Sequence, residues 1–513
     1  MDQNKSTPAT PGIEPTRVRT GQWMALTAAL LGWMFDGFEM GVFSLVARPA
    51  LRQLLPQNDE ADVGFWIGVI TAGFLVGAAT GGVLFGWLGD RIGRVRAMSL
   101  SILTYAVFTG LCGIANTAEQ VGALRFIASL GMGGEWSLGV ALVMEVWPNR
   151  SRAFLAGLIG AAANVGYLLV AGLGLALNEV IGDVSAGMLA LGFSQSWVTH
   201  LTGYQGWRLL MLMGTAPALL TFLIRLFVPE SKRWQQEKLE GRTSNWATWD
   251  LLAVVVGGLG PALIVFVWAN HFGDTWTVPA RIVGSLVGLA VATAGYSYPV
   301  IRYLQRQSVV NGVVAIEWRP TLRRMYLAAL LSGIALLGTW GSMQWAPAWA
   351  DMLTDGAVPN AKAYTQICAA TGAILGTILA AMMGDWFGRR ITYCLMCITS
   401  IGSILLLYQG NTEYGTMFLA SCFVAGLCTA SFYGWLPLYL PELFPTAVRA
   451  TGQGFGFNFG RILAAVGALQ TGNLMSQFAG GYPQACTVMA LIYLLGPIVI
   501  WFAPETRGRP LPD

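Results

Sequence analysis

Charge is what this sequence has least of. Its 513 residues include 30 Lys and Arg and 26 Asp and Glu, so charged side chains make up 11%, against about 25% in a soluble domain. So few polar groups cannot cover a water-facing surface, which excludes a cytosolic enzyme and a disordered chain. The net charge of +4 is small and scattered, so no nucleic-acid partner is expected. Histidine is scarcer still: only His200 and His271 occur, too few for a histidine metal centre or a catalytic triad. The seven cysteines (Cys112, Cys368, Cys394, Cys397, Cys422, Cys428 and Cys486) lie in apolar runs. Cys394 and Cys397 have no second CxxC to complete a metal site, and disulfide scaffolds belong to short secreted chains. With no nucleophile–base pair, metal cluster or phosphate loop in view, neither enzyme activity nor a cofactor is expected.

What is present in quantity is apolar. Hydrophobic residues make up 55% of the chain, glycines number 64, and the mean hydropathy is +0.57. A membrane span needs about 20 mostly apolar residues. Fourteen such runs are read: 23–45, 63–88, 97–115, 120–143, 154–177, 207–228, 251–269, 282–301, 326–352, 364–383, 391–408, 416–439, 450–474 and 484–502. Lipid offers backbone groups no water, so these must be helices and the fold class is all-α. The first 22 residues are polar, carry Pro8, Pro11 and Pro15, and lack the apolar core of a cleavable signal. They read as a tail.

Basic residues set the orientation. Arg91, Arg94, Arg96, Arg150, Arg152, Lys232, Arg233, Arg302, Arg323, Arg324, Arg389 and Arg390 fall on the side that holds both termini. Few fall opposite: Arg48, Arg52, Arg208, Arg281 and Lys362. The positive-inside rule makes the first side cytoplasmic, in an inner membrane.

Two motifs recur. Gly89-Asp90-Arg91-Ile92-Gly93-Arg94 returns as Gly384-Asp385-Trp386-Phe387-Gly388-Arg389, 295 positions on. Glu145, Pro148, Arg152 and Ala153 return as Glu442, Pro445, Arg449 and Ala450, 297 positions on. One nearly constant offset means a duplicated six-helix unit, and parallel repeats of this kind build secondary transporters with a site between the halves. The offset exceeds six helices because runs 251–269 and 282–301 are wedged between them. The expected organisation is a tail (1–22), a six-helix bundle (23–228), a linker with two extra transmembrane helices (229–325), a second bundle (326–502) and a tail (503–513).

Gly86-Trp-Leu-Gly-Asp-Arg-Ile-Gly-Arg94 resembles the loop motif of the major facilitator superfamily. Pro229-Glu230-Ser231 and Pro504-Glu505-Thr506-Arg507-Gly508 resemble marks of its sugar-porter-like branch. Gly32-Trp-Met-Phe-Asp36-Gly-Phe-Glu39 resembles the signature of aromatic-acid and sialate:proton symporters, with Glu39 standing where that signature usually has Asp. Arg125 to Glu135 is similar to the fourth helix of sialate symporters. The resemblance implies the major facilitator fold of two six-helix bundles, with fourteen spans here. It also implies a gate at the cytoplasmic ends made of Asp90, Arg94, Glu145, Arg152, Asp385, Arg389, Glu442 and Arg449. Positive-inside topology accounts for the arginines but not for the acids.

The costly charges lie mid-span. An ionisable group at the bilayer centre costs about 2.5–3.5 kcal/mol, so it faces a cavity or a partner. Asp36 and Glu39, three apart, share roughly one helix face. They are read as proton-coupling groups, since a carboxyl held from water favours its protonated form; a structural pair is the alternative. Arg125 and Glu135 are ten residues apart, about 15 Å along a helix, and cannot pair. Arg125 is expected to meet Asp36 or Glu39, and Glu135 is the other proton site. Arg461 has no acid on its own helix; a substrate carboxylate would satisfy it bidentately, as would an acid of another helix. Asn164, Tyr167, Gln344, Trp345, Tyr433 and Asn458 are expected to line the substrate cavity, with packing as the plainer alternative. The reading is a monomeric, proton-coupled symporter of a small organic anion, a carboxylate of sialate-like or aromatic kind, working by alternating access. Its partners are small-molecule substrate, protons and membrane lipid. A sugar or neutral-solute porter is the alternative, and a non-transporting membrane sensor a third.

Overall fold

A computed structural model describes residues 15–55, 60–147, 151–216, 224, 227–241, 247–268, 276–309, 318–354, 357–358, 360–477 and 481–512. All regular structure among them is helical. The first bundle runs α1 Pro15–Leu54, α2 Glu60–Ile92, α3 Arg94–Cys112, α4 Ala118–Val146, α5 Arg152–Ala190 and α6 Gln195–Met213. The short α7 Lys232–Leu239 leads to an inserted pair, α8 Leu251–Trp268 and α9 Val278–Val309. The second bundle holds α10 Trp318–Gly341, α11 Ala346–Thr354, α12 Ala361–Phe387, α13 Arg389–Gln409, α14 Thr416–Thr429, α15 Phe432–Tyr439, α16 Arg449–Gln477, α17 Tyr482–Ala490 and α18 Gly496–Val499.

Among the described residues, twelve helices are long and apolar enough to cross a membrane. Runs 207–228 and 450–474 are not among these twelve. The first overlaps α6, which begins twelve residues earlier, where Ser194 caps it by accepting the Trp197 N–H. Polar residues such as Thr199, His200 and Gln205 hide its start from a hydropathy reading, and 217–223 lie outside the described residues. The second is part of α16, 29 residues long but rich in glycine and polar groups.

Three spans of the second bundle are broken. The run 326–352 stops at Gly341, passes through a 3₁₀ turn at Met343–Trp345 and resumes as α11. Pro347 lacks an N–H and crowds the carbonyl four residues back, which ends regular helix there. Run 416–439 breaks between α14 and α15, where the Ser431 hydroxyl takes the Cys428 carbonyl at 2.6 Å. The last span breaks before Gly496-Pro497. Broken helices need a protein or cavity neighbour for the freed backbone groups, and Gln344, Trp345 and Tyr433 sit beside two of these breaks.

Within the halves α2 packs on α4 and α12 on α14. Gly81 and Gly376 are equivalent by the repeat, and a Cβ on either would lie about 2 Å from a facing carbonyl, of Leu130 and Leu427. Such contact is available only to glycine. The halves meet along two seams, α2 on α16 and α5 on α12. The inserted pair packs on itself, its backbones touching at Gly260 and Gly288. Arg306 closes its end with a two-pronged ion pair to Asp250 (2.6 and 2.8 Å). It docks on α2, where Tyr296 and Thr80 share a buried hydrogen bond of 2.7 Å.

Candidate transport site and gate

The five ionisable side chains singled out mid-span, Asp36, Glu39, Arg125, Glu135 and Arg461, are all nearly inaccessible to solvent. Arg125 of α4 forms an ion pair with Glu39 of α1, and Thr109 of α3 donates to the same carboxylate at 3.1 Å. The Arg125 guanidinium also lies over the rings of Phe43 and Phe74. This charge is fully enclosed by the first bundle.

Asp36, one turn earlier on α1, has a different neighbour. It faces Glu135 of α4, and the Tyr105 hydroxyl lies beside Glu135. Among the described residues, none of the four carboxylate oxygens is held by a well-formed hydrogen bond. Two carboxylates this close cannot both stay charged cheaply, and a bond between them requires that one carry a proton. Gly32 makes room: a Cβ there would fall 1.7 Å from Glu135 Oε1.

Arg461 of α16 approaches from the other half. Its electrostatic partners are Asp36 and Tyr433, it lies over the Phe457 ring at 5.5 Å, and its Nη1 has no hydrogen-bond partner among the described residues. Aromatic rings surround it. Phe457 stacks on Trp136 at 3.8 Å, with Trp33 and Tyr433 within 6.5 Å of that ring. Tyr167 of α5 and Gln344 meet across the halves at 3.4 Å, and Trp345 packs on Tyr482. Asn164 is partly exposed and donates to Gly160 of its own helix. Asn458 stands apart: fully buried, it donates to the Gly133 and Gly454 carbonyls where α16 crosses α4.

The motif charges gather at one end of the molecule and join the halves there. Asp90 accepts the Thr451 N–H (2.8 Å) and hydroxyl (2.5 Å) at the start of α16, where the helix dipole favours an anion. Arg449 bridges to Glu145 at 2.9 Å, and Arg94 donates to the Thr446 carbonyl at 2.9 Å. Arg94 also holds Asp90 (2.7 Å) and Glu145 (3.3 Å). In the second half Arg389 holds Glu442 at 2.6 and 3.0 Å and Asp385 at 3.3 Å. Arg152 lies in the field of Glu442, as Arg449 does with Glu145. These contacts hold the two halves together at this end.

Behind the gate stand groups to which sequence reasoning gave no role. Glu230 accepts the N–H groups of Arg94 and Val95 (2.9 and 3.1 Å), capping α3. Glu505 accepts those of Arg389 and Arg390 (3.1 Å each), capping α13. The next residue in each case, Ser231 or Thr506, donates to the gate acid Glu145 or Glu442 (2.5 and 2.6 Å). Gly93 and Gly388 adopt φ of +112° and +90°, and the capping carboxylates occupy the space a Cβ would need. Burial pushes the Glu230 carboxyl above its ordinary value. At Glu505 burial acts the same way, but the N–H groups of Arg389, Arg390 and Arg507 outweigh it and hold the carboxyl below the ordinary range.

Comparison with known proteins fits this geometry. The family described as "Sugar (and other) transporter" matches residues 23–248 and 337–511, and the gap between them holds the inserted pair. A cis,cis-muconate transport protein of Acinetobacter baylyi is 27% identical, over 96% of this chain and 98% of its own. A sialic acid transporter of Escherichia coli is 22% identical, over 94% of each. Among solved structures, a proton:xylose symporter bound to 6-bromo-6-deoxy-D-glucose superposes with a TM-score of 0.66 at 20% identity, covering 96% of this chain and 98% of that one. Duplicated motifs and matched segments together place the chain in the sugar (and other) transporter family of the major facilitator superfamily, as a membrane transporter and not an enzyme.

Proposed function

We propose that the protein is a proton-coupled symporter of a small organic anion, a carboxylate. The observation that carries this reading is Arg461: a buried guanidinium with an open donor, set among aromatic rings and facing a pair of undonated carboxyls on the opposite half. A substrate carboxylate would take the open donor bidentately. With the substrate bound, Asp36 shares its cation and is left beside Glu135, so the pair takes up a proton. Substrate and proton then cross together. The relatives that carry muconate and sialic acid support an acid as cargo. The Arg125–Glu39 pair braces the first bundle next to this site.

Transport proceeds by alternating access, the bundles at 23–228 and 326–502 rocking about the two seams, with α8 and α9 completing fourteen spans. The end joined by the motif charges faces the cytoplasm of an inner membrane, a placement the basic residues there support, and the protein works as a monomer. A sugar porter is the other reading the family allows. It would leave the Arg461 donor without an anionic ligand.

Thermal-shift binding of cis,cis-muconate, sialic acid and xylose to the purified protein tests the reading. At least one acid is expected to stabilise the wild type and to lose that effect in Arg461→Ala. Stabilisation by xylose alone, or an acid effect unchanged in Arg461→Ala, would contradict it.

A further inference from the structure

A groove of about 620 Å³ opens on the outer face of α10, away from the transport site and at the end of the molecule that holds the gate. Two elements wall it. On α10 Arg319, Arg323, Tyr326 and Leu330 line one side at helical spacing, a stripe about 16 Å long. Phe502, on the last turn before Pro504, forms the other. The groove is divided along its length. Both cations lie at its outer end beside Trp318, the Arg319 guanidinium resting on that indole at 5.3 Å. Toward the membrane its surface is apolar and open: Leu330 is 49% exposed and Phe502 61%. No acid among the described residues lines it.

The first bundle has a groove of about 570 Å³ lined by Arg96, Trp234 and Lys238. That one also contains the Glu230 carboxylate, so its charge is partly cancelled. The α10 groove keeps two arginines above an apolar strip, with no acid beside them among the described residues. A free phosphate would use the arginines and leave the strip idle. A zwitterionic lipid brings its own cation against them. An anionic lipid satisfies both ends, and basic pockets between transmembrane helices hold such headgroups.

We propose that this groove binds an anionic glycerophospholipid, its phosphodiester on Arg319 and Arg323 and an acyl chain along Tyr326, Leu330 and Phe502. The test is a titration of the detergent-purified full chain with phosphatidylglycerol, phosphatidylcholine or inorganic phosphate, read by native mass spectrometry. Phosphatidylglycerol is expected to bind in preference to phosphatidylcholine. Arg319→Gln with Arg323→Gln should weaken it roughly thirtyfold, two interfacial charges being removed. The paired lysine variant, Arg319→Lys with Arg323→Lys, should retain the preference, and Leu330→Trp, which fills the strip with both charges in place, should weaken binding. Equal binding of the two lipids, or a preference that survives the glutamine variant, would overturn the proposal. So would inorganic phosphate competing the lipid off at comparable concentration, which would mark a free-anion site.

Discussion

Two acids of one helix, three residues apart, end in different chemistry because of what faces them. Glu39 meets the Arg125 guanidinium and a threonine hydroxyl; Asp36 meets another carboxyl and, across the halves, Arg461. The first is a buried ion pair, and removing one partner of such a pair costs about 3–5 kcal/mol. Glu39→Gln is therefore expected to lower thermal stability in detergent steeply. An unchanged melting temperature would show that Glu39 does not hold the bundle. The five intramembrane charges were legible from their cost alone. Their pairing was not, because helix spacing says which residues share a face and not what the neighbouring helix brings to it.

At the scale of elements, the helix-capping carboxylates behind the gate explain why the motif ends in glycine and arginine. Glu505 is the clearer case, its carboxyl held below the ordinary range by backbone donors. A depressed value means the stabilisation is complete above the free glutamate value of about 4.3 and is lost as pH falls through the lower folded value. Glu505→Gln should therefore cost roughly 1 kcal/mol at pH 7, with the gap to wild type closing in acid. Melting curves at pH 7 and pH 4 check this; a gap that widens in acid would reverse the assignment. The Pro-Glu-Ser and Pro-Glu-Thr segments were visible in sequence, but their matching roles were not. Glu230 and Glu505 are 275 positions apart where the gate motifs are 295 and 297. The first half is lengthened by α5, which runs on to Ala190 beyond its expected end at 177. Broken helices were missed for a related reason: a hydropathy window averages across Ser342 or Ser431 and returns one span where the chain makes two pieces.

For the whole molecule, the halves are joined at one end by Asp90, Glu145, Arg94 and Arg449. On the alternating-access proposal these contacts exist only while that end is closed, so weakening them shifts the population toward its opening. Arg449→Ala should raise the reactivity of a cysteine placed at Ser137, beneath the gate, toward a reagent added from that end. Unchanged labelling would show that the gate holds without that bridge. The repeat offset pointed to an insertion between two matching units, and the family match stops and restarts around the pair α8 and α9. That the pair docks through Thr80 and Tyr296 onto the α2 seam was beyond reach, since two neutral hydroxyls leave no mark in composition.

An organic anion on Arg461 and a proton on the Asp36–Glu135 pair are proposed to move together. The most direct measurement is uptake of radiolabelled cis,cis-muconate or sialic acid into proteoliposomes, with and without an inward proton gradient, for wild type and Asp36→Asn. The gradient is expected to drive one of the acids above equilibrium in wild type, while Asp36→Asn exchanges acid for acid but accumulates none. Gradient-driven accumulation by Asp36→Asn equal to wild type would contradict it.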